Sequence, residues 1–466
     1  MKILLNNFIY CITALILFVA QLISQPIKPE KLSYYNLLAD NIINSALSDQ
    51  SGYEWLKELC DIGPRLSGSD NSIIAIRWAE KKLKEIGCDS VWLQSCMVPK
   101  WERGVTEQAE ITRSESFEGR DLIVASLGGS IGTPLDGITA EVIEVRNFDT
   151  LKTLADKIKG KIVFFNRSLD QTKVNSFNGY GGAVNQRING ASEAAKYGAV
   201  AVFVRSISTK YDNNPHVGVV TYQDSIPRIP AAAIGQIDAD FLSKAIQNQS
   251  GLNVTLEMDC RNLDEVESYN VIGEIRGTEF PNEVIVVGGH FDSWDKGCGA
   301  HDDGAPCIQT MEILDLFRRS NIHPKRTIRC VLFINEENGL RGAKKYGDYA
   351  DSSNQIHIAA IEADRGAFTP RGFFVTTDSL TLPKLQTWLP ILNKSLIDWI
   401  KPGGSGADVS QIKNVKALFG FAPDSQRYMD VHHSANDSFE SVHPREMELG
   451  SAAMAILTLL LSEEGI

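Results

Sequence analysis

The sequence predicts an α/β fold: a central mixed β-sheet flanked by helices, with a smaller α/β lobe inserted in the chain. Three observations carry this expectation. From Tyr269 onward, apolar strand-like runs alternate with loops and helical segments, the pattern of a sheet covered by helices. Residues 120–260 have a different texture, with short β-rich runs between helical stretches. The length of 466 residues exceeds what one hydrophobic core normally fills, so about two domains are expected.

Composition is that of an ordinary globular chain, with 43% hydrophobic and 22% charged residues. The net charge of −12 argues against a nucleic-acid groove or a polybasic membrane patch. Residues 1–25 stand apart, with Lys2 as their one charge and an apolar run from Phe8 to Ala20. That run fits the core of a secretory signal, whereas a spanning helix needs about 20 apolar residues. The expected protein is therefore exported (extracellular, periplasmic or lumenal), with no stable membrane span once the signal is removed. Seven cysteines follow the signal: Cys60, Cys88, Cys96, Cys260, Cys298, Cys307 and Cys330. They lack C-x-x-C spacing and make neither a zinc ribbon nor a disulfide scaffold. Cys88 and Cys96 are the shortest candidate pair.

The elements follow in order. Residues 32–90 read as helices, with Asn71 to Ile86 apolar at helical spacing and lysines near its end. Ile62 to Ser69 is a loop of turn residues. Between 120 and 260, strands such as Lys161–Phe165 and Ala199–Val204 alternate with helices such as Ala191–Lys196, and no segment clusters His, Asp, Glu or Cys. This reads as a lobe without chemistry of its own. Beyond Tyr269, Glu283–Val287 is a buried strand leading to His290. Thr310–Arg319 is a helix, Thr327–Ile334 a strand leading to Glu336, and Ile356–Ile361 a strand leading to Asp364. Three strands thus deliver polar residues just past their carboxyl ends, the edge where open α/β sheets bind ligands.

The residues at that edge suit metal-assisted hydrolysis. His290 and His433 with Asp302, Glu337 and Asp364 give mixed nitrogen and oxygen donors, which suits divalent zinc. Gly288 and Gly289 let the backbone approach a crowded centre. Asp292 is placed behind His290, where its carboxylate can accept the second imidazole N–H. Adjacent carboxylates at Asp302-Asp303 repel unless a cation is near, and Asp302 suits a bridging ligand. Glu336 and Glu337 are consecutive in extended geometry and point to opposite sides, so one can bind metal while the other faces substrate. His432 and His433 are both candidates at this point. His301, His323, His357 and His443 read as surface or structural.

The series G-G-H-x-D, D-D-G, Glu336 to Gly342 as E-E-x-G-x-x-G, E-x-D and H-H-S-x-x-D-S resembles the co-catalytic dizinc peptidases related to bacterial leucyl aminopeptidase. Within them it is similar to the carboxypeptidase Q family. That narrower likeness rests on Gly289–Asp295, Pro324–Thr327, Ile62–Ser69 and the segment from Gly132 to Ala140. The resemblance implies a zinc-exopeptidase fold with an inserted protease-associated-like domain. It implies domains at 30–124 and 265–466 for the peptidase, with 125–262 as the insert.

It also implies two zinc ions per chain, one held by His290 and Asp364, the other by Glu337 and His433, with Asp302 bridging. His433 is preferred because the family's ligand precedes S/T-x-x-D, here Ser434 to Asp437. Glu336 is the implied general base, the Asp302–Asp303 peptide is implied to be cis, and Glu362-Ala363-Asp364 departs from the family's E-S-D beside a ligand. The implied activity is hydrolysis of small peptides, above all unblocked dipeptides, commonly by a homodimer. Two other readings compete: a catalytically silent receptor-like ectodomain, which would have lost ligands, and a glutaminyl cyclase, which uses one zinc. Arg365 and Arg371 are candidates to clamp a substrate carboxylate.

Overall fold

The computed structural model describes residues 28–112 and 119–466; the expected signal segment 1–25 lies outside them. Three helices, Pro29–Asp49, Ser51–Ile62 and Asp70–Glu85, open the described chain. The third begins where Ser69 Oγ accepts the Ser72 N–H at 3.1 Å and ends with Lys82 and Lys84 in its last turn. Both features complement the exposed helix ends, and Ala75, Ile76, Ala79 and Leu83 form its buried stripe.

The chain then forms β1 (Ser90–Glu102) and leaves for a second sheet. There it lays down β2 (Glu107–Ile111), β3 (Arg120–Leu122), β4 (Val124–Ser126), β5 (Ile138–Val145), β6 (Ile162–Phe165), β7 (Ala201–Arg205), β8 (Ala231–Ile234) and β9 (Asn253–Met258). Their order across the sheet is β3-β2-β9-β5-β6-β7-β8-β4, all eight being absent from the first sheet. β2 and β3 lie within 30–124, yet they pair in this second sheet.

The chain returns with β10 (Arg261–Ile275), β11 (Phe280–His290), β12 (Arg326–Phe333), β13 (Ile356–Glu362), β14 (Pro370–Thr377), β15 (Trp399–Pro402) and β16 (Val415–Pro423). With β1 they make a mixed sheet in the order β1-β10-β12-β11-β13-β16-β14-β15. Its centre, β12-β11-β13-β16, is parallel, and antiparallel pairs flank it.

Strand periodicity decides which helices cover this sheet. Ile285, Val287, Ile328, Cys330 and Leu332 face one side, packed with helices Ala305–Arg319 and Pro444–Glu464. Val284, Val286, Val331 and Phe333 face the other, against Ala343, Tyr346 and Ala350 of helix Arg341–Ser352. Helix Pro444–Glu464 is apolar nearly all round because it runs through the core. Among the described residues no helix is long and apolar enough to cross a membrane.

The Cys88–Cys96 pairing does not occur. Cys96 lies on β1 opposite Ser268, and the extended strand between it and Cys88 holds the two apart. The thiols brought together are Cys60 and Cys298, with their Sγ atoms 2.8 Å apart.

One buried pair in the helical layer gives a stability prediction. Glu312 is fully buried, its oxygens make no hydrogen bond, Arg319 Nη2 approaches Oε1 at 3.6 Å, and Glu448 faces it from the last helix. Gly52 leaves room for it, since a Cβ there would fall 2.5 Å from Glu312 Oε2. Burial, then the charge of Glu448, pushes the Glu312 carboxyl well above its ordinary 4.5. A carboxyl raised in the fold contributes stability at low pH and loses it as pH rises through the folded value. Glu312→Gln should therefore flatten the decline above pH 5, raising stability at pH 8 by about 1–3 kcal/mol. Thermal melts of wild type and variant at the two pH values check this, and a variant that loses as much stability from pH 5 to pH 8 as the wild type would contradict it.

Candidate metal centre and active site

The candidate ligands meet at the carboxyl edge of the parallel strands. β11 ends on His290, β12 ends shortly before Glu336, and β13 ends shortly before Asp364. His290 pairs in register with Phe333 and Gly288 with Glu362, so the three strand ends lie side by side. The glycines make the crowding feasible. A Cβ on Gly289 would fall 2.4 Å from Asp303 Oδ2, and one on Gly288 would fall 2.3 Å from the Val331 carbonyl.

Asp302 is the hub. Its carboxylate lies 3.2 Å from His290 Nε2, 3.3 Å from His433 Nε2 and 3.8 Å from His432 Nε2. Asp364 lies 3.5 Å from His290, and Glu337 lies 3.1 Å from His433. The structure thus brings together all five expected ligands, and His432 with them. The rings of His432 and His433 stack with centroids 3.6 Å apart. The Asp302–Asp303 peptide is cis.

Surrounding contacts fix these groups. Asp437 accepts the backbone N–H groups of His301 at 2.7 Å and Asp302 at 3.1 Å. Asp303 accepts the His290 N–H at 3.0 Å. Arg65, fully buried, donates to the carbonyls of Phe291, Cys298 and Gly299, clipping down the strap that leads to Asp302. Asp292 departs from expectation. Its main-chain carbonyl, 3.0 Å from His290 Nδ1, receives the imidazole, while its carboxylate accepts the Glu336 N–H at 3.0 Å. The two-residue spacing lets the backbone reach the ring first, leaving the carboxylate free to orient the base candidate. His301 is structural: it stacks on Phe368, and burial pushes its pKa down to about 4.

The lobe built on the second sheet, which the sequence reading leaves without chemistry of its own, touches the site. The Val217 N–H donates to the His433 carbonyl at 2.8 Å, and the Val217 carbonyl lies 3.1 Å from His433 Nδ1. His433 is held between them with a left-handed backbone (φ 61°). His216 Nδ1 likewise lies 2.7 Å from the His432 carbonyl. Trp294 links lobe to site: its indole packs where a Gly128 side chain would stand, and its N–H donates to Glu337 Oε2 at 2.6 Å.

Phe177, Tyr180, Arg187 and Val219 form the lobe's wall of a cavity of about 290 Å³ whose floor is the cluster and Glu336. No charge cluster in the sequence marks these residues. Arg371 does not serve here; it is exposed and paired with Asp424 at 3.0 Å. Arg365 stands at the rim, its guanidinium 4.8 Å from the Phe177 ring and 5.1 Å from that of Phe374.

The electrostatics match the donor set of a cation site. Burial, then the carboxylates around it, pushes Glu336 and Glu337 well above the ordinary range. Burial would also raise Asp302, but His290, His433 and His432 hold it below its usual value. Burial pushes His433 down to about 3, with the neighbouring Arg187 adding to the effect, so the ring is neutral and able to ligate. Asp302 Oδ2 and Glu337 Oε1 are buried without a hydrogen-bond partner. Two groups, His290–Asp302–Asp364 and Asp302–His432–His433, each hold their donor atoms within 4.8 Å of one another and overlap at Asp302. Burial keeps His432 and His433 neutral, whereas the carboxylates of Asp303, Asp302 and Asp364 outweigh burial at His290 and raise its pKa, a positive charge at the place a cation would take. Buried, unpartnered carboxylate oxygens among such imidazoles fit divalent cations.

Residues 270–457 match the model of peptidase family M28. Carboxypeptidase Q of Bos taurus is 33% identical over 439 residues, spanning 93% of this chain and 90% of the relative. The chain belongs to peptidase family M28. Membership makes it a metallo-exopeptidase, a hydrolase of peptide bonds. The crystal structure of an M28 peptidase precursor from Shewanella amazonensis SB2B superposes with a TM-score of 0.88 at 30% identity, covering 93% of this chain and 98% of that one. BSAP, a zinc aminopeptidase from Bacillus subtilis, shares the M28 fold with a TM-score of 0.63 at 19% identity, covering 89% of this chain and 95% of its own. The motif-bearing strands Phe280–His290, Arg326–Phe333 and Ile356–Glu362 all fall within the matched M28 region.

Proposed function

We propose that this M28 peptidase is an exported dizinc enzyme that hydrolyses short unblocked peptides, dipeptides above all. The observation that carries the reading is the pair of donor groups sharing Asp302, with the half-buried Glu336 lining the same cavity outside both groups. His290 and Asp364 would hold one zinc, Glu337 and His433 the other with His432 at hand, and Asp302 would serve both. Zinc in such a site supplies Lewis acidity toward the scissile carbonyl and the attacking water.

The remaining work falls to the chain. Glu336, its backbone fixed by Asp292, takes the proton of the attacking water and returns it to the leaving amine. Its burial favours the protonated form it must pass through. A cavity of about 290 Å³ is at the small end of ligand sites and suits a short peptide. The second sheet is read as a protease-associated-like insert whose Val217, Tyr180 and Arg187 complete the site. Export through residues 1–25 and a homodimer belong to the same reading. Convergence of every ligand with the base speaks against a silent ectodomain, and the two-centred donor set speaks against a single-zinc cyclase.

A panel of free, N-acetylated and C-amidated dipeptides, each with and without chelator, tests this. Free dipeptides should be cleaved with chelator-sensitive turnover, and two zinc ions per chain should be found by elemental analysis. One zinc per chain with cyclisation of N-terminal glutamine would revive the cyclase. Full activity after complete metal removal would end the reading.

A further inference from the structure

We infer that Tyr180, carried by the inserted lobe, is a further catalytic residue: its hydroxyl donates to the substrate oxygen that becomes negative when the scissile carbonyl is attacked. Arg187 is its positioning residue. The inference rests on the peptidase reading above.

Tyr180 lies in the short helix Ser176–Gly181 and lines the cavity with Glu337, His432 and His433. Its ring edge meets His432, with centroids 5.0 Å apart and planes at 80°, so the phenol stands at the metal end of the cavity. The hydroxyl oxygen accepts from Arg187 Nη2 at 2.6 Å. Its own proton meets no acceptor among the described residues. A hydroxyl that accepts from a guanidinium is polarised into a stronger donor, and here the donated proton is left for a ligand.

Arg187 cannot retreat from this duty. It is buried, its Nη1 donates to the Val217 carbonyl at 2.9 Å, and the same atom lies 3.3 Å from His433 Nδ1. Its Cζ lies 2.4 Å from where a Cβ on Gly218 would stand, so the guanidinium fills that space against the backbone. No carboxylate lies within ion-pair distance of it among the described residues. A cation without a counter-charge behind a neutral phenol offers more to an oxygen gaining charge than to a resting carbonyl. Such a donor lowers the barrier rather than tightening substrate binding.

The test uses the zinc-loaded full-length enzyme with a free dipeptide and with its phosphinic analogue, whose tetrahedral anionic oxygens imitate the attacked carbonyl. Tyr180→Phe should lower kcat roughly 10²–10³-fold with KM within about threefold, and weaken the phosphinate by a similar factor. Zinc content should stay at the wild-type level. Arg187→Gln should lower kcat comparably, and the double variant should fall no further than the worse single, because both act through one hydroxyl. A kcat within twofold of wild type in Tyr180→Phe would overturn the inference. So would a raised KM with unchanged kcat, which would make Tyr180 a receiver of the substrate's terminal carboxylate instead. A wild-type enzyme that cleaves no unblocked peptide would fail the peptidase reading itself, whatever the variants do.

Discussion

Glu336→Gln should lower kcat by about 10²–10⁴-fold while the protein keeps its full complement of zinc. The two neighbours Glu336 and Glu337 have different surroundings. Glu337 accepts from Trp294 and lies against His433, which commits it to the cluster. Glu336 makes no such contact; its backbone is pinned by Asp292 and its side chain lines the cavity. Gln keeps the size and hydrogen-bonding reach but cannot take a proton, so the loss should fall on kcat rather than KM. The acid limb of the wild-type pH profile, which reports this carboxyl, should vanish in the variant. Near-normal turnover in zinc-replete Glu336→Gln would remove Glu336 from the chemistry, leaving the metal site untouched.

Much of this site is legible in the sequence because three of its candidate ligands, His290, Glu337 and Asp364, end or closely follow buried strands. A run such as Val284-Ile285-Val286-Val287 has to be a covered strand, and in a parallel sheet its carboxyl end can go only to the common edge. His290, Glu336 and Asp364 inherit their places from that rule. The same logic fails for groups that arrive from another part of the chain. Val217 reaches His433 across more than two hundred residues, and nothing in Val217 itself announces a role. Tyr180 and Arg187 look like ordinary helix residues until packing sets them over the cluster.

Strand order is hidden for a related reason. β12 slots between β10 and β11 by tertiary pairing, although β11 precedes it in sequence. β2 and β3 are short and partly exposed, so their pattern does not say which sheet they join. Asp292 shows the finest limit: spacing places it beside His290, but which of its oxygens meets the ring is a matter of backbone direction.

Asp302→Asn should cost the enzyme both metals, whereas Asp364→Asn should leave one. The geometry makes the two carboxylates unequal. Asp302 approaches His290, His433 and His432, joining both donor groups, while Asp364 approaches His290 alone. An amide oxygen is a neutral, weaker donor and cannot bridge as a carboxylate does, so removing the shared charge weakens each centre at once. Elemental analysis after dialysis should therefore find well under one zinc in Asp302→Asn and about one in Asp364→Asn, with activity in the first down at least about 10³-fold. Stability gives a second readout. A ligand present at about 1,000 times its Kd stabilises the folded state by about 4 kcal/mol. The rise in Tm on adding zinc to metal-free protein should be largely absent in Asp302→Asn and reduced in Asp364→Asn. Because each rise is measured within one variant, any change in the metal-free fold, such as the lost contact between Asp302 and His290, cancels. Two zincs bound at wild-type affinity in Asp302→Asn, with both lost in Asp364→Asn, would show that the centres do not share Asp302.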